Sequence, residues 1–280
     1  EGLQTPQSII ADVPVNYSGY SPENYDEDYN GNVTIEYALS HSLNVPAVKT
    51  LSEMGMDNFL NTLINCDFTT IDEKRKDLGL SVALGGCGVT LEQLTRLYSA
   101  FANQGRYSHI RWLQADEDTT YIQAFSPGAA FMVTEILTQL TRPDLPNFYQ
   151  SAKNVPLIAW KTGTSYGRKD AWSIGYNNNY TIGVWVGNFS GKGVPELSGA
   201  NVATPLLFNL FNAIENENNK EWNTMPESVN FRYVCAVTGK NPADFCQNVV
   251  LDYYLPGISK NVTCDHLIEV KVDEKEKISY

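Results

Sequence analysis

Two short runs of polar residues stand out as candidates for a functional site. One is the triplet Ser42–Asn44, and the other is the run Lys161–Thr164. Each run alone is a weak signal, because such short combinations occur by chance in many chains of this length. The candidate site residues are Ser42, Asn44, Lys161, Thr162, Gly163 and Thr164.

Each run also has a simpler structural interpretation. Ser42 and Asn44 are residue types that cap helices, and the triplet alone does not separate capping from catalysis. Lys161 could be a solvated lysine on a strand. Its neighbours argue against this, because Trp160 and Gly163 indicate a closely packed apolar strand, in which an unpaired cation is costly.

Helical periodicity predicts that the first run lies at a break between two helices. Apolar residues recur at helical spacing from Thr34, the pattern is interrupted at Asn44–Pro46, and it resumes from Ala47 to Met54. The same reasoning predicts further helices over Met56–Ile64, Thr90–Asn103, Pro127–Leu140 and Thr204–Glu215.

Strand-like patterning predicts that the second run lies on the first of three strands. The predicted strands are Leu157–Thr164, Ala171–Tyr176 and Tyr180–Asn188, and the last two are joined by three asparagines that suit a tight hairpin. Helices, then strands, then a final helix indicate a mixed α+β fold with an antiparallel sheet flanked by helices and a helical lobe beside it. A small C-terminal β-rich unit follows.

Charge and hydropathy exclude several classes of protein. The 280 residues carry a formal net charge of −12, so a nucleic acid or an anionic membrane surface is not an expected partner. No stretch approaches the about 18 apolar residues of a membrane span. The sequence opens abruptly at Glu1 on polar, turn-rich residues, and we expect it to be part of a longer protein.

Taken together, the motifs resemble the transpeptidase domain of class A penicillin-binding proteins. Ser-x-Asn and Lys-Thr-Gly are marks of that superfamily, and they occur here in the expected order, with a strand hairpin after the second. Asp12–Pro14 and Tyr20–Tyr25 look like the family's preceding segment. Ser42–Val48 and Ala83–Leu91 look most like the penicillin-binding protein 1C subgroup.

The resemblance implies a role for each candidate residue. Ser42 would relay a proton to the leaving amine, Asn44 would hold a substrate amide, and Lys161 would supply positive potential and orient Ser42. The hydroxyls of Thr162 and Thr164 would bind a terminal carboxylate, and the Thr164 N–H would be an oxyanion donor. Because Gly163 has no side chain, substrate can add alongside the strand.

The resemblance also implies the partners and the domain organisation. The partners would be peptidoglycan stem peptides ending in D-Ala–D-Ala, β-lactams and an upstream segment of the same protein, and no metal or organic cofactor is required. Residues 1–217 would form a partial transpeptidase domain, 218–228 a linker and 229–280 a small cysteine-containing extension. We expect a periplasmic location, with tethering to the inner membrane by an anchor outside this chain.

The nucleophile that the family requires is not in the sequence. No lysine has a serine three residues before it, so the Ser-x-x-Lys motif is absent from the 280 residues. We expect the motif upstream and expect the isolated chain to be inactive, because loss of the nucleophile costs about 10⁶ in kcat. A non-catalytic peptidoglycan-binding or β-lactam-sensing module, a D,D-carboxypeptidase and a β-lactamase remain alternatives, as does a superficial family match.

Four potential metal ligands lie in the last fifty residues: Cys235, Cys246, Cys264 and His266. Their spacing lacks the C-x₂₋₄-C element of most structural zinc sites. In an exported protein a disulfide between Cys235 and Cys246 is favoured, with buried free thiols and a metal site as the alternatives, and no residue is assigned as a metal ligand. The remaining cysteines, Cys66 and Cys87, are interpreted as small buried apolar residues.

Overall fold

A computed structural model describes residues 2–113, 120–145, 156–214 and 222–266. The strands are β1 (Ile9–Asp12), β2 (Gly31–Thr34), β3 (Arg106–Ser108), β4 (Tyr121–Gln123), β5 (Ala159–Thr164), β6 (Asp170–Tyr176), β7 (Thr181–Gly187), β8 (Asn230–Cys235) and β9 (Val249–Tyr254). The helices are α1 (Ile35–Ser40), α2 (Asn44–Met54), α3 (Met56–Asn65), α4 (Thr69–Lys74), α5 (Leu91–Ala102), α6 (Pro127–Thr138) and α7 (Thr204–Ile214), and a π-helical turn (Gly199–Ala203) precedes α7.

The central sheet is antiparallel, with the strand order β5-β6-β7. Helices α5 and α6 pack on one face, and α7 with the π-helical turn packs on the other. Gly183 lets α5 approach closely, because a Cβ at this position would overlap Thr95. Under α7, Trp160 packs edge-on against the buried Phe208. The predicted mixed fold with helices flanking an antiparallel sheet is confirmed.

The helical lobe has its own core. Buried side chains from α2, α3, α4 and α5 meet there, and they include Leu51, Leu60, Phe68, Ile71 and Leu97. The start of α5 is fixed by a capping box, in which the hydroxyl of Thr90 accepts from the N–H of Gln93 and the Gln93 side chain accepts from the N–H of Thr90. This agrees with the predicted start of that helix at Thr90.

The predicted break between the first two helices lies in the wrong place. Asn44–Pro46 belong to α2, and the chain turns at residues 41–43 instead. Pro46 is compatible with the first turn of a helix, where a backbone N–H has no partner within the helix. The proline therefore indicates the beginning of α2, not an interruption.

A buried carboxylate connects β1 to the start of α2. Asp12 is fully buried, and its carboxylate accepts from Asn24 Nδ2 at 2.8 and 2.9 Å. It also accepts from the backbone N–H of Asn30 at 2.9 Å and from the Asn30 side chain at 2.8 Å. Asn24 Oδ1 in turn accepts from the N–H of Asn44 at 2.9 Å and of Val45 at 3.3 Å. Asn24 thus satisfies two of the free N–H groups at the start of α2.

Strands β8 and β9 form a two-stranded antiparallel ribbon that contacts the rest of the chain. Val229 and Leu255 pack against Phe131 and Met132 of α6. The N–H of Gln7 donates to Asp252 at 3.0 Å. Ahead of the ribbon, Trp222 donates from its indole to the Leu157 carbonyl at 2.9 Å. In the predicted linker, residues 218–221 lie outside the described residues, and the predicted domain division stays a prediction.

Among the described residues, no helix combines the length and the apolar character needed to span a bilayer.

The Asp12 network predicts a large effect of substituting Asn24. In Asn24→Ala, the buried carboxylate loses two hydrogen bonds and α2 loses its capping side chain, so we expect the free energy of unfolding to fall by about 2–4 kcal/mol. Asn16→Ala is the control, since Asn16 is exposed in the same segment and bonds to Ser21. Urea denaturation measures both. Equal, small losses in the two variants would show that the network does not stabilise the fold.

Candidate active site

The structure brings the two candidate runs into direct contact. The Lys161 ammonium group donates a hydrogen bond to the Ser42 hydroxyl and another, at 3.3 Å, to the Thr162 carbonyl. Ser42 belongs to the turn between α1 and α2 at the edge of the helical lobe, and Lys161 lies in β5 of the sheet. The sequence interpretation required this proximity. The contact therefore joins a hydroxyl and a cation across the boundary between the lobe and the sheet.

The turn that carries Ser42 has the geometry of a Schellman helix ending. Ser42 has φ +56°, in the left-handed region that glycine favours. The N–H of Leu43 donates to the Ala38 carbonyl at 2.9 Å, and that of Ser42 to the Leu39 carbonyl at 3.2 Å. Leu43 is buried in a cluster with Ile10 of β1 and Ala38 of α1, which fixes the position of the turn. The exposed Ser42 is thereby held in a conformation that costs a non-glycine residue about 1–2 kcal/mol.

Asn44 is held from two sides by the segment before β2. Its backbone N–H donates to Asn24 Oδ1, and its side-chain amide donates to the Glu23 carbonyl at 2.8 Å. These bonds fix the position of the Asn44 side chain two residues from Ser42. The sequence did not reveal this role of Asn24, because its hydrogen-bond partners, Asp12 and Asn44, are distant from it along the chain.

Strand β5 lies at one edge of the described sheet and pairs with β6. Thr162 lies opposite Ser173, and Gly163 lies opposite Trp172. The hydroxyl oxygen of Thr164 accepts from the N–H of Gly199 at 3.0 Å, which leaves the Thr164 hydroxyl proton able to donate to another group. The substrate-binding candidates are therefore partly buried on a strand that has an edge for an extended ligand.

Gly199 is a residue that the sequence interpretation missed. A Cβ at Gly199 would lie 2.6 Å from the Gly163 carbonyl oxygen and 2.5 Å from that of Trp172. Glycine is therefore required for the π-helical turn to approach β5 closely enough to bond Thr164. A single glycine in a loop gives no sequence signal for this contact.

Arg168 connects the turn after β5 to two other segments at the rim of the site. Its guanidinium donates to the Tyr25 hydroxyl at 2.7 Å and to the Pro195 carbonyl. These bonds link the β5–β6 turn both to the segment that holds Asn44 and to the loop before the π-helical turn.

Burial changes the acid–base chemistry of Lys161. Desolvation of the ammonium group lowers the pKa of Lys161 from 10.5 to about 8. At pH 7 the side chain is mostly protonated and donates to Ser42. Because this pKa lies close to neutral pH, the pair is better suited to proton movement than an exposed lysine and a serine.

The predicted disulfide between Cys235 and Cys246 is not formed. All five cysteines are free thiols. Instead, Cys235, Cys246, Cys264 and His266 place their donor atoms within 4.8 Å of one another, far along the chain from the Ser42–Lys161 contact. The disulfide interpretation considered two thiols, whereas the fold brings three thiols and an imidazole together.

The chain matches one family model and several curated proteins. The family model described as the penicillin binding protein transpeptidase domain matches residues 1–202. Penicillin-binding protein 1C of Escherichia coli is 36% identical over 242 residues, which cover 86% of this chain and 31% of that protein. Penicillin-binding protein 1A of Aquifex aeolicus is 29% identical over 269 residues, with coverage of 88% and 34%. The chain thus spans about a third of the length of these relatives.

Solved structures show the same fold. Penicillin-binding protein 1A of Haemophilus influenzae superposes with a TM-score of 0.73 at 19% identity, over 94% of this chain and 46% of that one. PonA1 of Mycobacterium tuberculosis, in complex with penicillin V, superposes with a TM-score of 0.62 at 19% identity, over 80% and 66%.

The family model matches more than half of the chain, and the fold agrees with that of the solved structures. The residues that carried the sequence resemblance, Ser42, Asn44 and Lys161, lie together within the matched region. The chain belongs to the transpeptidase-domain family of penicillin-binding proteins.

Proposed function

We propose that this chain supplies the Ser-x-Asn and Lys-Thr-Gly parts of a serine D,D-transpeptidase that cross-links peptidoglycan stem peptides in the periplasm. The observation that carries the proposal is the hydrogen bond between Lys161 and Ser42, which joins the two motifs. Membership of the transpeptidase family supports the reaction class. Tethering to the inner membrane would come from an anchor outside these residues.

The proposed reaction transfers an acyl group twice. A serine hydroxyl attacks the carbonyl carbon of the penultimate D-alanine, the peptide C–N bond breaks, and the terminal D-alanine leaves as an amine that gains a proton through Ser42. The amine of a second stem peptide then attacks the acyl-enzyme ester. This step forms the cross-link and returns the proton to the serine. Lys161 holds the Ser42 hydroxyl in place and favours negative charge nearby.

The proposed ligand for the cation is the terminal carboxylate of a stem peptide or of a β-lactam. Lys161 supplies charge, and Thr162 and Thr164 supply hydroxyl donors. The bond from Gly199 to the Thr164 oxygen supports this assignment, because it orients the hydroxyl while leaving its proton to donate. The available edge of β5 suits an extended peptide that pairs with the strand beside Gly163, where the Thr164 N–H serves as oxyanion donor.

We propose that the attacking serine lies outside these 280 residues. No lysine in the sequence has a serine three places before it, and the chain spans about a third of the relatives' length. Ser42 does not replace that serine, because position 45 is a valine and its lysine contact comes from the sheet. In this proposal an upstream segment completes the site, and the isolated chain binds ligand without forming an acyl-enzyme.

Fluorescent penicillin tests this function. We expect the full-length gene product to form a stable adduct on a Ser-x-x-Lys serine and the 280-residue chain to form none. In the full-length protein, Lys161→Ala should slow labelling about 100-fold or more, because it removes the cation and the partner of Ser42. Lys192→Ala, which removes an exposed lysine in the loop after β7, should label normally.

Four results would contradict the proposal. Normal labelling of Lys161→Ala would remove this residue from the site. Reversible binding without an adduct in the full-length protein would indicate a binding module. Release of D-alanine from a stem peptide without cross-linking, in the presence of an acceptor amine, would indicate a carboxypeptidase, and rapid hydrolysis of the penicillin adduct would indicate a β-lactamase.

Because Lys161 is buried, we expect its charge to lower the free energy of unfolding of the chain. Since the pKa of Lys161 is about 8 in the folded chain and 10.5 when exposed, the unfolded chain holds an extra proton between these pH values, and stability rises with pH across that interval. Lys161→Met should therefore raise the free energy of unfolding by about 1–3 kcal/mol at pH 7. The gain should shrink towards pH 10.5.

Urea denaturation of the 280-residue chain at pH 7, 9 and 10.5 measures this difference, with Lys192→Met as the exposed control. A gain in Lys161→Met that is the same at all three pH values would show that burial of charge is not its cause. A loss of stability at pH 7 would show that the hydrogen bonds of Lys161 outweigh its desolvation.

A further inference from the structure

Three thiols and one imidazole, from three parts of the chain, meet at one end of the β8–β9 ribbon. Cys235 is the last residue of β8, Cys246 lies in the connection to β9, and Cys264 and His266 follow β9. Their sulfur and imidazole nitrogen atoms all lie within 4.8 Å of one another. Neither the family match, which ends at residue 202, nor the proposed transpeptidase chemistry uses these residues.

The distances between the donor atoms are close to those around one tetrahedrally coordinated zinc ion. With Zn–S bonds of about 2.3 Å and Zn–N bonds of about 2.0 Å, donor atoms around one zinc lie about 3.5–3.8 Å apart. Cys235 Sγ lies 3.7 Å from His266 Nδ1. Cys264 Sγ lies 2.7 Å from the same nitrogen, so this pair would separate by about 1 Å around an ion. No pair of donor atoms is more than about 1 Å wider apart than the spacing around one zinc ion.

Backbone hydrogen bonds hold each of the three segments in place. The Cys235 N–H donates to the Lys240 carbonyl at 2.8 Å, which closes a tight turn after β8. The Cys264 N–H donates to the Asn241 carbonyl at 2.8 Å, and the Cys246 N–H donates to the Ala243 carbonyl at 2.9 Å. The fold of these loops therefore presents the donor atoms to a common point without any covalent cross-link.

The sulfur atoms also receive hydrogen bonds of the kind that support thiolate ligands. The Thr238 hydroxyl donates to Cys264 Sγ at 3.2 Å, and the Ala243 N–H donates to Cys246 Sγ at 3.3 Å. Such outer donors orient metal ligands and stabilise their negative charge. Next to the cluster, Lys240 forms an ion pair with Asp265.

The ribbon has little core of its own, which gives a metal ion a structural purpose. Between residues 229 and 266, the buried apolar residues apart from cysteines are Val229, Val234 and Leu255. Phe231, Tyr233 and Leu251 are more than half exposed. A unit of this size with so few buried side chains is commonly stabilised by disulfides or by a structural metal.

We propose that Cys235, Cys246, Cys264 and His266 bind one Zn²⁺ ion that stabilises the β8–β9 ribbon. Four protein ligands fill a tetrahedral shell and leave no open position for substrate, so the site is structural. A single disulfide would pair two thiols and leave the third beside the imidazole, whereas zinc engages all four groups. The site is independent of the proposed transpeptidase function, and its test requires no acylation.

Metal analysis of the whole chain tests the proposal. We expect the protein, after export to the periplasm and purification without reductant, to hold about one zinc per chain and to contain five free thiols. Cobalt in place of zinc should give the absorption of a tetrahedral thiolate complex. Cys264→Ser and His266→Ala should each lose most of the zinc, while Cys87→Ser, outside the cluster, should retain it.

The wild-type result does not depend on any variant folding. A disulfide between any two of Cys235, Cys246 and Cys264 in the exported protein would overturn the proposal. So would five free thiols with no zinc after dialysis against zinc-containing buffer, or a cobalt spectrum without sulfur-to-metal charge transfer. Zinc that remains bound in both Cys264→Ser and His266→Ala would place the ion elsewhere.

Discussion

The candidate site depends on holding a lysine where the sheet meets the helical lobe. Lys161 is partly buried on β5, and burial lowers its pKa to about 8, so the folded chain holds the ammonium group at the expense of its hydration. Packing alone favours an apolar side chain at such a position. What the lysine gains is a hydrogen bond to Ser42, a residue of another structural element. The presence of a lysine at position 161 is therefore better explained by the hydrogen bond to Ser42 than by a contribution to the stability of the fold.

That contact has value only if the Ser42 turn is rigid, and the rigidity comes from a network of hydrogen bonds around the Asp12 carboxylate. The Asp12 carboxylate is buried and is satisfied by the side chains of Asn24 and Asn30. Because Asn24 uses its amide nitrogen on Asp12, its oxygen faces the backbone N–H groups of Asn44 and Val45. One asparagine therefore fixes the start of α2, and with it the spacing between Ser42 and Asn44.

Local signals in the sequence were sufficient for most of the elements. The helix starts predicted at Thr90 and Pro127 and the strand predicted around Lys161 each rest on residues close together in sequence, and the structure agrees with them. The predicted break included Ser42, as in the structure, but the interruption predicted at Asn44–Pro46 was wrong, because the cause of the turn is not local to Pro46. Leu43 is buried against Ile10 of β1 and Ala38 of α1, and a left-handed serine takes the position where glycine is usual.

The contributions of Asn24 and Gly199 could not be predicted, because each acts on a residue that is distant in sequence through a backbone group. The cysteine cluster, too, is formed by residues that are distant in sequence. A short C-x₂₋₄-C spacing is typical of sites in which one tight loop supplies two ligands. Here separate loops supply Cys235, Cys246 and Cys264, and backbone bonds fix each loop, so the number of residues between them is not constrained. Spacing rules therefore detect sites built within one loop. They miss the cysteine cluster, and they also miss the contacts that Asn24 and Gly199 make with residues distant in sequence.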